Sequence, residues 1–147
     1  MPGIIVGIDG SAHSRKALEW AVREAAVRRA PLTVLTVHQA VAGYFTSPVD
    51  YPGDKELTDQ ARKVAQEETD DVLDEAGEGS RPPSVTVQAV NGLPAEELLR
   101  AAADADMLVV GSRGAGGFTR LLMGSVSSQV AHHAACPVVV IPAEDRQ

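Results

Sequence analysis

The chain has 147 residues, of which 44% are hydrophobic and 22% are charged, and its formal net charge is -7. This length and composition are typical of one globular domain, and we expect a single domain over residues 1–147. Aromatic residues make up only 3%. Few aromatics and a negative charge are poorly suited to a phosphate backbone, so nucleic acid is excluded as a favoured partner.

The cysteine content and the apolar runs bear on the compartment. Cys136 is the only cysteine, so no intramolecular disulfide framework exists, and its place before an apolar strand indicates a small core residue rather than a nucleophile. No apolar run reaches the roughly 20 residues of a membrane span, and the N-terminus leads directly into an apolar strand. We therefore expect a cytoplasmic protein with no membrane partner.

Strand and helix patterns alternate along the chain. Short apolar runs predict strands at 4–8, 32–38, 85–90, 107–110 and 137–142. Apolar residues at helical spacing predict helices over about 18–26, 57–76, 94–102 and 124–134. Ser11 or Ser14 is available to cap the first helix, and Val126, Val130 and Ala131 are expected to face inward from the fourth.

This alternation predicts an open five-stranded parallel sheet with helices on both faces and right-handed crossovers. If strand four returns to lie beside strand one, the order is 3-2-1-4-5, and strand three, whose apolar and polar residues alternate, lies at an edge. Ligands in such sheets bind at the carboxyl ends of the strands where the winding reverses. Those ends carry Asp9 and Gly111.

Residues 39–53 show neither helical nor strand spacing. They contain two glycines, two prolines and isolated aromatic residues. A long loop of this kind in a compact domain is usually functional or mobile. We predict that residues 41–54 are the most mobile segment and a candidate lid, because they leave strand two at the ligand end of the sheet.

The strongest functional pattern begins at Gly111, directly after a predicted buried strand. Glycines there permit positive φ and a close approach of the backbone, so that successive N–H groups can converge on an anion. The pattern ends at Gly124 and Ser125, where a helix opens and its free N–H groups also favour negative charge. Arg113 and Arg120 make the stretch locally basic. The pattern therefore predicts a phosphate site.

Two common phosphate motifs do not fit this stretch. A classical P-loop needs Gly-Lys-Ser/Thr after its glycines, and no lysine follows Lys63. The dinucleotide pattern G-x-G-x-x-G belongs after the first strand of its unit, and the glycines here are arranged differently.

The spacing G-x2-G-x9-G-S, which runs from Gly111 to Ser125, resembles the nucleotide-binding signature of the universal stress protein family in its ATP-binding subclass. Residues 5–11 (IVGIDGS) and 136–141 (CPVVVI) also resemble this family, whereas residues 41–54 are the least similar stretch. The resemblance implies a Rossmann-like fold of the adenine nucleotide alpha hydrolase type. It also implies ATP as the ligand, with or without Mg²⁺, and a homodimer.

The resemblance further implies which residues bind the nucleotide. In ATP-binding members the aspartate that ends strand one contacts the nucleotide, the end of strand two holds the adenine, and the signature loop wraps the ribose and phosphates. Transferred position by position, the implied binding residues are Gly7, Asp9, Val37, Gly111, Ser112, Arg113, Gly114, Gly116, Gly117, Gly124, Ser125, Val126 and Ser127. Asp9 has a competing interpretation as a simple helix cap.

The homodimer is expected through strand 137–142. The predicted order leaves this apolar strand at an edge, and an unprotected edge tends to pair with another chain. Pro137 and Pro142 bracket the strand and limit the pairing to a short segment. Family members commonly dimerise in this way, which strengthens the expectation.

Four functions remain open from the sequence. The first is an ATP-binding regulatory module of the stress response that is read by an unidentified protein partner, and the second is a slow ATPase. No general base with an orienting partner stands near the motif, so no catalytic residue is assigned. The third is a phospho-accepting receiver domain, which would want an aspartate after strand three and a lysine after strand five, where this chain has Asn91 and Pro142. The fourth is a structural dimer that needs no nucleotide.

The histidines give weak signals and no metal site is assigned. His132 and His133 are adjacent, so on a helix they point about 100° apart and cannot share a metal as an i, i+4 pair could. We expect them at the negative end of helix four, where a positive charge is favourable.

Overall fold

The computed structural model describes residues 3–38, 54–112 and 125–142. The five strands are β1 (Ile4–Ile8), β2 (Leu32–His38), β3 (Val85–Asn91), β4 (Met107–Gly111) and β5 (Val138–Ile141). The four α-helices are α1 (Ala12–Arg28), α2 (Asp54–Ala76), α3 (Pro94–Ala101) and α4 (Ser125–His133). The predictions for residues 39–53 and 113–124, including the candidate lid, fall almost entirely outside the described residues.

The strands form one parallel sheet in the order β3-β2-β1-β4-β5. The predicted topology is therefore confirmed, and β3 and β5 lie at the two edges as expected. The strand order reverses between β1 and β4, which places the switch point of the winding at the centre of the sheet.

Two apolar cores cover the two faces of the sheet. On one face, Val6 and Val109 pack with Leu18 of α1 and Val72 of α2. On the other, Ile5, Leu35 and Leu108 pack with Leu98 of α3 and Val130 of α4. Because successive strand residues point to opposite faces, a strand buried on both sides is an unbroken apolar run. The central strands of this sheet are such runs.

The helix α1 begins earlier than its apolar stripe suggested, and its cap is Ser11. The Ser11 hydroxyl accepts a hydrogen bond from the Ser14 N–H at 3.1 Å. The preceding Gly10 has a φ of 84°, a conformation that glycine adopts without strain. The turn between β1 and α1 is therefore fixed by a glycine and a side-chain cap.

Two details of helix burial differ from the sequence pattern. Ala131 was expected to face inward but is exposed. The short α4 covers the edge of the sheet and buries only Ser127 and Val130, and Ala131 lies about 100° around the helix from Val130. In α2 the unexpected core residue is Thr69, fully buried, whose hydroxyl donates to the carbonyl oxygen of Ala65 at 2.8 Å.

The length and hydropathy of the helices bear on whether the chain could cross a membrane. Across the described ranges, no helix combines the length and the apolar character that crossing a membrane requires.

Candidate functional site

A crevice opens where the order of the strands reverses. The pairing of β1 with β4 covers Ile4 to Val6 against Met107 to Val109. Beyond this point β1 continues to pair with β2, up to Ile8 opposite Thr36, and β4 continues to pair with β5, up to Gly111 opposite Ile141. The carboxyl ends of the two central strands therefore separate, and each is held by its outer neighbour.

Asp9 stands at the β1 side of this crevice and is exposed. Its Oδ1 accepts a hydrogen bond from the Ser11 N–H at 3.0 Å, across Gly10. An aspartate that binds the backbone two residues ahead forms an Asx turn, which restrains its side chain. Asp9 itself is not the cap of α1, because Ser11 fills that role. The structure thus assigns the helix cap to Ser11 and leaves Asp9 as an exposed carboxylate, two roles that the sequence did not distinguish.

Ser14 lies beneath the Asp9 turn and is 4% exposed. Its Oγ accepts from the Asp9 N–H at 3.1 Å and donates to the Ser11 carbonyl oxygen, also at 3.1 Å. The sequence indicated Ser14 only as an alternative cap and missed its contact with Asp9. The signal that could have found it is a serine in the first turn of a helix that follows directly on an Asp-Gly-Ser turn.

On the β4 side, two buried serines fix the departure of the chain from the sheet. The Ser112 N–H donates to the Ile141 carbonyl oxygen at 2.9 Å, which extends the pairing of β4 and β5. The Ser127 hydroxyl donates to the Ser112 carbonyl oxygen at 3.4 Å. Ser112 is 8% exposed and Ser127 is 2% exposed. The hydrogen bond from Ser127 therefore holds the first turn of α4 against the end of β4.

The first turn of α4 presents different side chains to its surroundings. Ser125 is exposed, whereas Val126 is half-buried and packs against the core between the sheet and the α3 and α4 helices. The exposed hydroxyl of Ser125 is therefore accessible to a ligand, whereas Val126 contributes to packing.

The end of β2 is attached to two neighbours. Val37 pairs with Val90 of β3 and is half-buried. The His38 Nε2 lies 2.8 Å from the Thr58 Oγ1 of α2, and the His38 carbonyl oxygen accepts from the Gly92 N–H at 2.9 Å. Thr58 was not singled out in the sequence, because nothing local relates it to a strand twenty residues earlier.

The charge around Asp9 is mixed. Arg15 of α1 forms ion pairs with Glu19 and with Glu75 of α2, at 3.4 and 3.1 Å. Burial raises the pKa of Glu68; Arg15 opposes this rise, and the negative charge of Asp9 adds to it. Asp9 and Glu68 therefore influence each other electrostatically, although they belong to different elements.

Cys136 does not have the environment of a nucleophile. It is half-buried, packs against the core under α3 and α4, and is not in a disulfide. Burial, and then the nearby Asp106 carboxylate, raise the pKa of the Cys136 thiol. Its thiolate is thereby disfavoured, which agrees with its interpretation as a core residue.

The structure places the predicted residues that it describes at one end of the sheet. Gly7 and Asp9 belong to β1 and the turn after it, Val37 to β2, Gly111 and Ser112 to the end of β4, and Ser125, Val126 and Ser127 to the first turn of α4. The remaining predicted residues lie outside the described residues: Arg113, Gly114, Gly116, Gly117 and Gly124.

These features define a doubly wound α/β protein with a crevice at the switch point of its sheet, the kind of place where such folds bind small ligands. A model of the universal stress protein family matches residues 2–142. Universal stress protein Rv2623 of Mycobacterium tuberculosis is 37% identical over 152 residues, which cover 97% of this chain and 48% of that protein. The chain belongs to the universal stress protein family. It spans about half the length of the curated relatives it matches.

Two solved structures of similar fold contain nucleotides. A universal stress protein in complex with cAMP has a TM-score of 0.64 and 24% identity, with 97% of this chain and 98% of the other covered. The universal stress protein of Archaeoglobus fulgidus in complex with dAMP has a TM-score of 0.56 and 23% identity, with 96% and 98% covered. At these identities the comparison shows the fold.

Proposed function

We propose that this chain binds an adenine nucleotide, ATP in the first place, in the crevice between β1 and β4 and acts as a nucleotide-dependent regulatory module of the stress response. The observation that carries the proposal is the separation of the two central strands between Asp9 and Gly111. The glycine signature begins at Gly111, so the crevice and the signature coincide. The two similar structures that contain cAMP and dAMP support this choice of ligand.

The described residues fit such a ligand. The Asp9 carboxylate is exposed at the crevice and can accept hydrogen bonds from ribose hydroxyls or an amino group. The first turn of α4 is held beside the end of β4 by Ser127, and a helix N-terminus favours phosphate. Bound ATP would supply a triphosphate, with or without Mg²⁺, for these groups to hold. Gly111 to Gly124, with Arg113, are proposed as its cradle on the basis of the sequence signature.

Direct contact with the nucleotide is less well supported for Gly7 and Val37 than for Asp9. The α3 side of Gly7 is occupied by Leu98, and Val37 is half-buried at the end of β2. We retain Val37 as the position beside the adenine, and we assign to Gly7 chiefly the packing of β1 against α3.

Binding rather than rapid hydrolysis is the activity we propose. Among the described residues, Asp9 is the carboxylate that follows β1 at the crevice, and its Oδ1 is engaged by the Ser11 N–H. A general base requires a free, oriented acceptor within reach of the attacking water. Slow turnover is therefore the most that we expect from this site.

We also propose that two copies of the chain pair through β5. Within the described sheet, β5 pairs with β4 on one side only, and all four of its residues are half-exposed. An apolar edge strand of this kind is a natural partner for its own copy. A single domain over residues 1–147 and a cytoplasmic location remain predictions from the sequence.

The test is calorimetric titration of the purified chain with Mg·ATP, with circular dichroism of each variant. Asp9→Ala should weaken binding about ten- to hundredfold, the typical cost of losing a hydrogen bond to a charged group. Gly114→Val should abolish binding and leave the fold intact. The matched controls are Asp104→Ala, an exposed carboxylate before β4 at the opposite end of the sheet, and Gly79→Val, where an added Cβ would have no heavy atom other than those of its chain neighbours within 4 Å.

The outcomes separate the candidate functions. Absence of binding by the parent at millimolar Mg·ATP would contradict the proposal and leave the structural dimer in its place. Binding with a measurable release of phosphate that Asp9→Ala or Gly114→Val removes would favour the slow ATPase. Adenine nucleotide released in near-equimolar amount when the purified protein is denatured would support a bound nucleotide in the cell.

A further inference from the structure

Four hydrogen bonds connect Asp9, Ser11 and Ser14 into one closed unit. The Ser11 N–H donates to Asp9 Oδ1 at 3.0 Å, and the Asp9 N–H donates to Ser14 Oγ at 3.1 Å. The Ser14 hydroxyl donates to the Ser11 carbonyl oxygen, and the Ser14 N–H donates to Ser11 Oγ, both at 3.1 Å. One side chain, that of Ser14, thus bridges the backbone on both sides of Gly10.

The Ser14 hydroxyl is doubly engaged and almost completely buried. A hydroxyl has one proton to donate and can accept on its lone pairs, so a donor and an acceptor at these two positions fix its orientation. Ser14 is 4% exposed, whereas Asp9 is exposed. Ser14 therefore belongs to the packed base of the turn, and Asp9 belongs to the surface that a ligand can reach.

Gly10 is the point at which this turn would relax. It has a φ of 84°, and no heavy atom lies within 4 Å of where its side chain would be. Glycine has the widest conformational freedom of any residue, and no packing on the Cβ side of Gly10 restricts it. The bridge from the Asp9 N–H to the Ser11 carbonyl oxygen, made by Ser14, supplies the missing restraint.

We infer that Ser14 is a positioning residue for nucleotide binding: its hydroxyl holds the Asp9–Ser11 turn in the conformation that points the Asp9 carboxylate at the ligand. This inference rests on the proposed function. Ser14 does not contact the nucleotide itself and acts through Asp9. Its removal should therefore affect affinity only while the Asp9 carboxylate is present.

The experiment is a double-mutant cycle of Ser14→Ala and Asp9→Ala, with Mg·ATP as the ligand. Dissociation constants are measured by calorimetry, and for weak variants by the rise of the unfolding temperature with nucleotide up to millimolar concentration. Ser14→Ala should weaken binding about two- to tenfold, the range expected for one net hydrogen bond. In the Asp9→Ala background the same change should alter affinity by less than about twofold.

Two further variants separate positioning from general stability. Ser14→Thr keeps the hydroxyl and should restore most of the affinity that Ser14→Ala loses. Thr69→Val removes another fully buried hydroxyl, whose hydrogen bond lies within α2, and should lower the unfolding temperature without changing affinity. Calorimetric affinities are compared well below the unfolding temperature of every variant, and each thermal shift is referred to the unfolding temperature of the same variant without nucleotide, so that a lower stability by itself is not counted as a lower affinity.

Each result supports or contradicts the inference. Equal affinity of Ser14→Ala and the parent for Mg·ATP would overturn the inference. An equal loss of affinity on Ser14→Ala in the parent and in the Asp9→Ala background would also overturn it, because Ser14 would then act independently of Asp9. A parent that binds no nucleotide would defeat the proposed function, and with it this role for Ser14. If Ser14→Ala lowers the nucleotide affinity only when Asp9 is present, and Ser14→Thr recovers that affinity, the positioning role is established.

Discussion

Gly7 of β1 lies directly against Leu98 of α3. A Cβ atom at Gly7 would stand 2.8 Å from Leu98 Cδ2 and 3.2 Å from Leu98 Cδ1. Leu98 is buried in the core between the sheet and the α3 and α4 helices, so its side chain has little room to move. The glycine one residue before the end of β1 is therefore explained by helix packing, two residues away from the aspartate at the crevice.

Gly7→Ala should destabilise the fold by about 1–3 kcal/mol, because an added methyl group overpacks a filled core. The measurement is urea unfolding followed by circular dichroism. Gly79→Ala is the matched control: a side chain there meets no atom within 4 Å, so we expect a change within about 0.5 kcal/mol. Equal stability of Gly7→Ala and the parent would show that Leu98 yields without cost.

Glu68→Gln should raise the unfolding temperature at pH 7. Burial, with the charges of Asp9, Asp71 and Glu19, raises the pKa of Glu68 above its ordinary value of 4.5, although Arg15 opposes the rise. The folded chain therefore holds this proton more tightly than the unfolded chain, and stability falls as the pH rises from about 4.5 through the raised pKa. Glutamine has no charge to bury, so the variant avoids that loss.

The pH dependence is the decisive part of this prediction. The advantage of Glu68→Gln over the parent should shrink as the pH is lowered from the raised pKa to 4.5, because Glu68 then becomes neutral in both states, as glutamine always is. Unfolding temperatures measured between pH 3.5 and pH 8 would show this convergence. Glu67→Gln, at the exposed neighbouring position, serves as the control for simple loss of a negative charge. A constant difference across the pH range would contradict the assigned cause.

Val139→Lys should convert the proposed dimer into a monomer. Val139 lies opposite Val109 in β5, one of the two edge strands of the described sheet, and a lysine on an edge strand opposes pairing with a second chain. Sedimentation of both proteins at micromolar concentration provides the mass. Thr86→Lys, on the other edge strand and exposed, should leave the mass unchanged. A monomeric parent, or a dimeric Val139→Lys, would refute pairing through β5.

The sequence was sufficient for the architecture because its signals are local and repeated. The strands β1 and β4 are short apolar runs and each helix has its own period, so the alternation predicted a parallel sheet with helices on both faces. The predicted order was conditional on strand four lying beside strand one, and the structure confirms that arrangement. The same topology places Asp9 and Gly111 at one end of the sheet without knowledge of any contact. Family membership followed from residues that stand together in the chain and match relatives along residues 2–142.

The sequence predicted where the candidate site lies, but it did not predict the structural role of each residue there. Asp9, Ser11 and Ser14 all suggested a cap for α1, and only their hydrogen bonds distinguish the cap, Ser11, from the exposed carboxylate and the buried bridge. Ser127 was predicted as a ligand residue, and only the structure shows that its hydroxyl donates to the Ser112 carbonyl oxygen. Hydrogen-bond partners depend on rotamers and on neighbours, which a linear pattern does not contain.

What the amino-acid sequence determined by itself is the alternation of strands and helices, the parallel sheet that it implies, and the family, because periodicity and motif spacing are properties of short segments. The tertiary structure alone decided the contact of Gly7 with Leu98, the attachment of His38 to Thr58, and the exposure of Ala131. The first two join residues far apart in the chain, and the third reflects how little of α4 the edge of the sheet can cover. Such contacts and exposures depend on how all the helices and strands pack together, which no short segment of the sequence specifies.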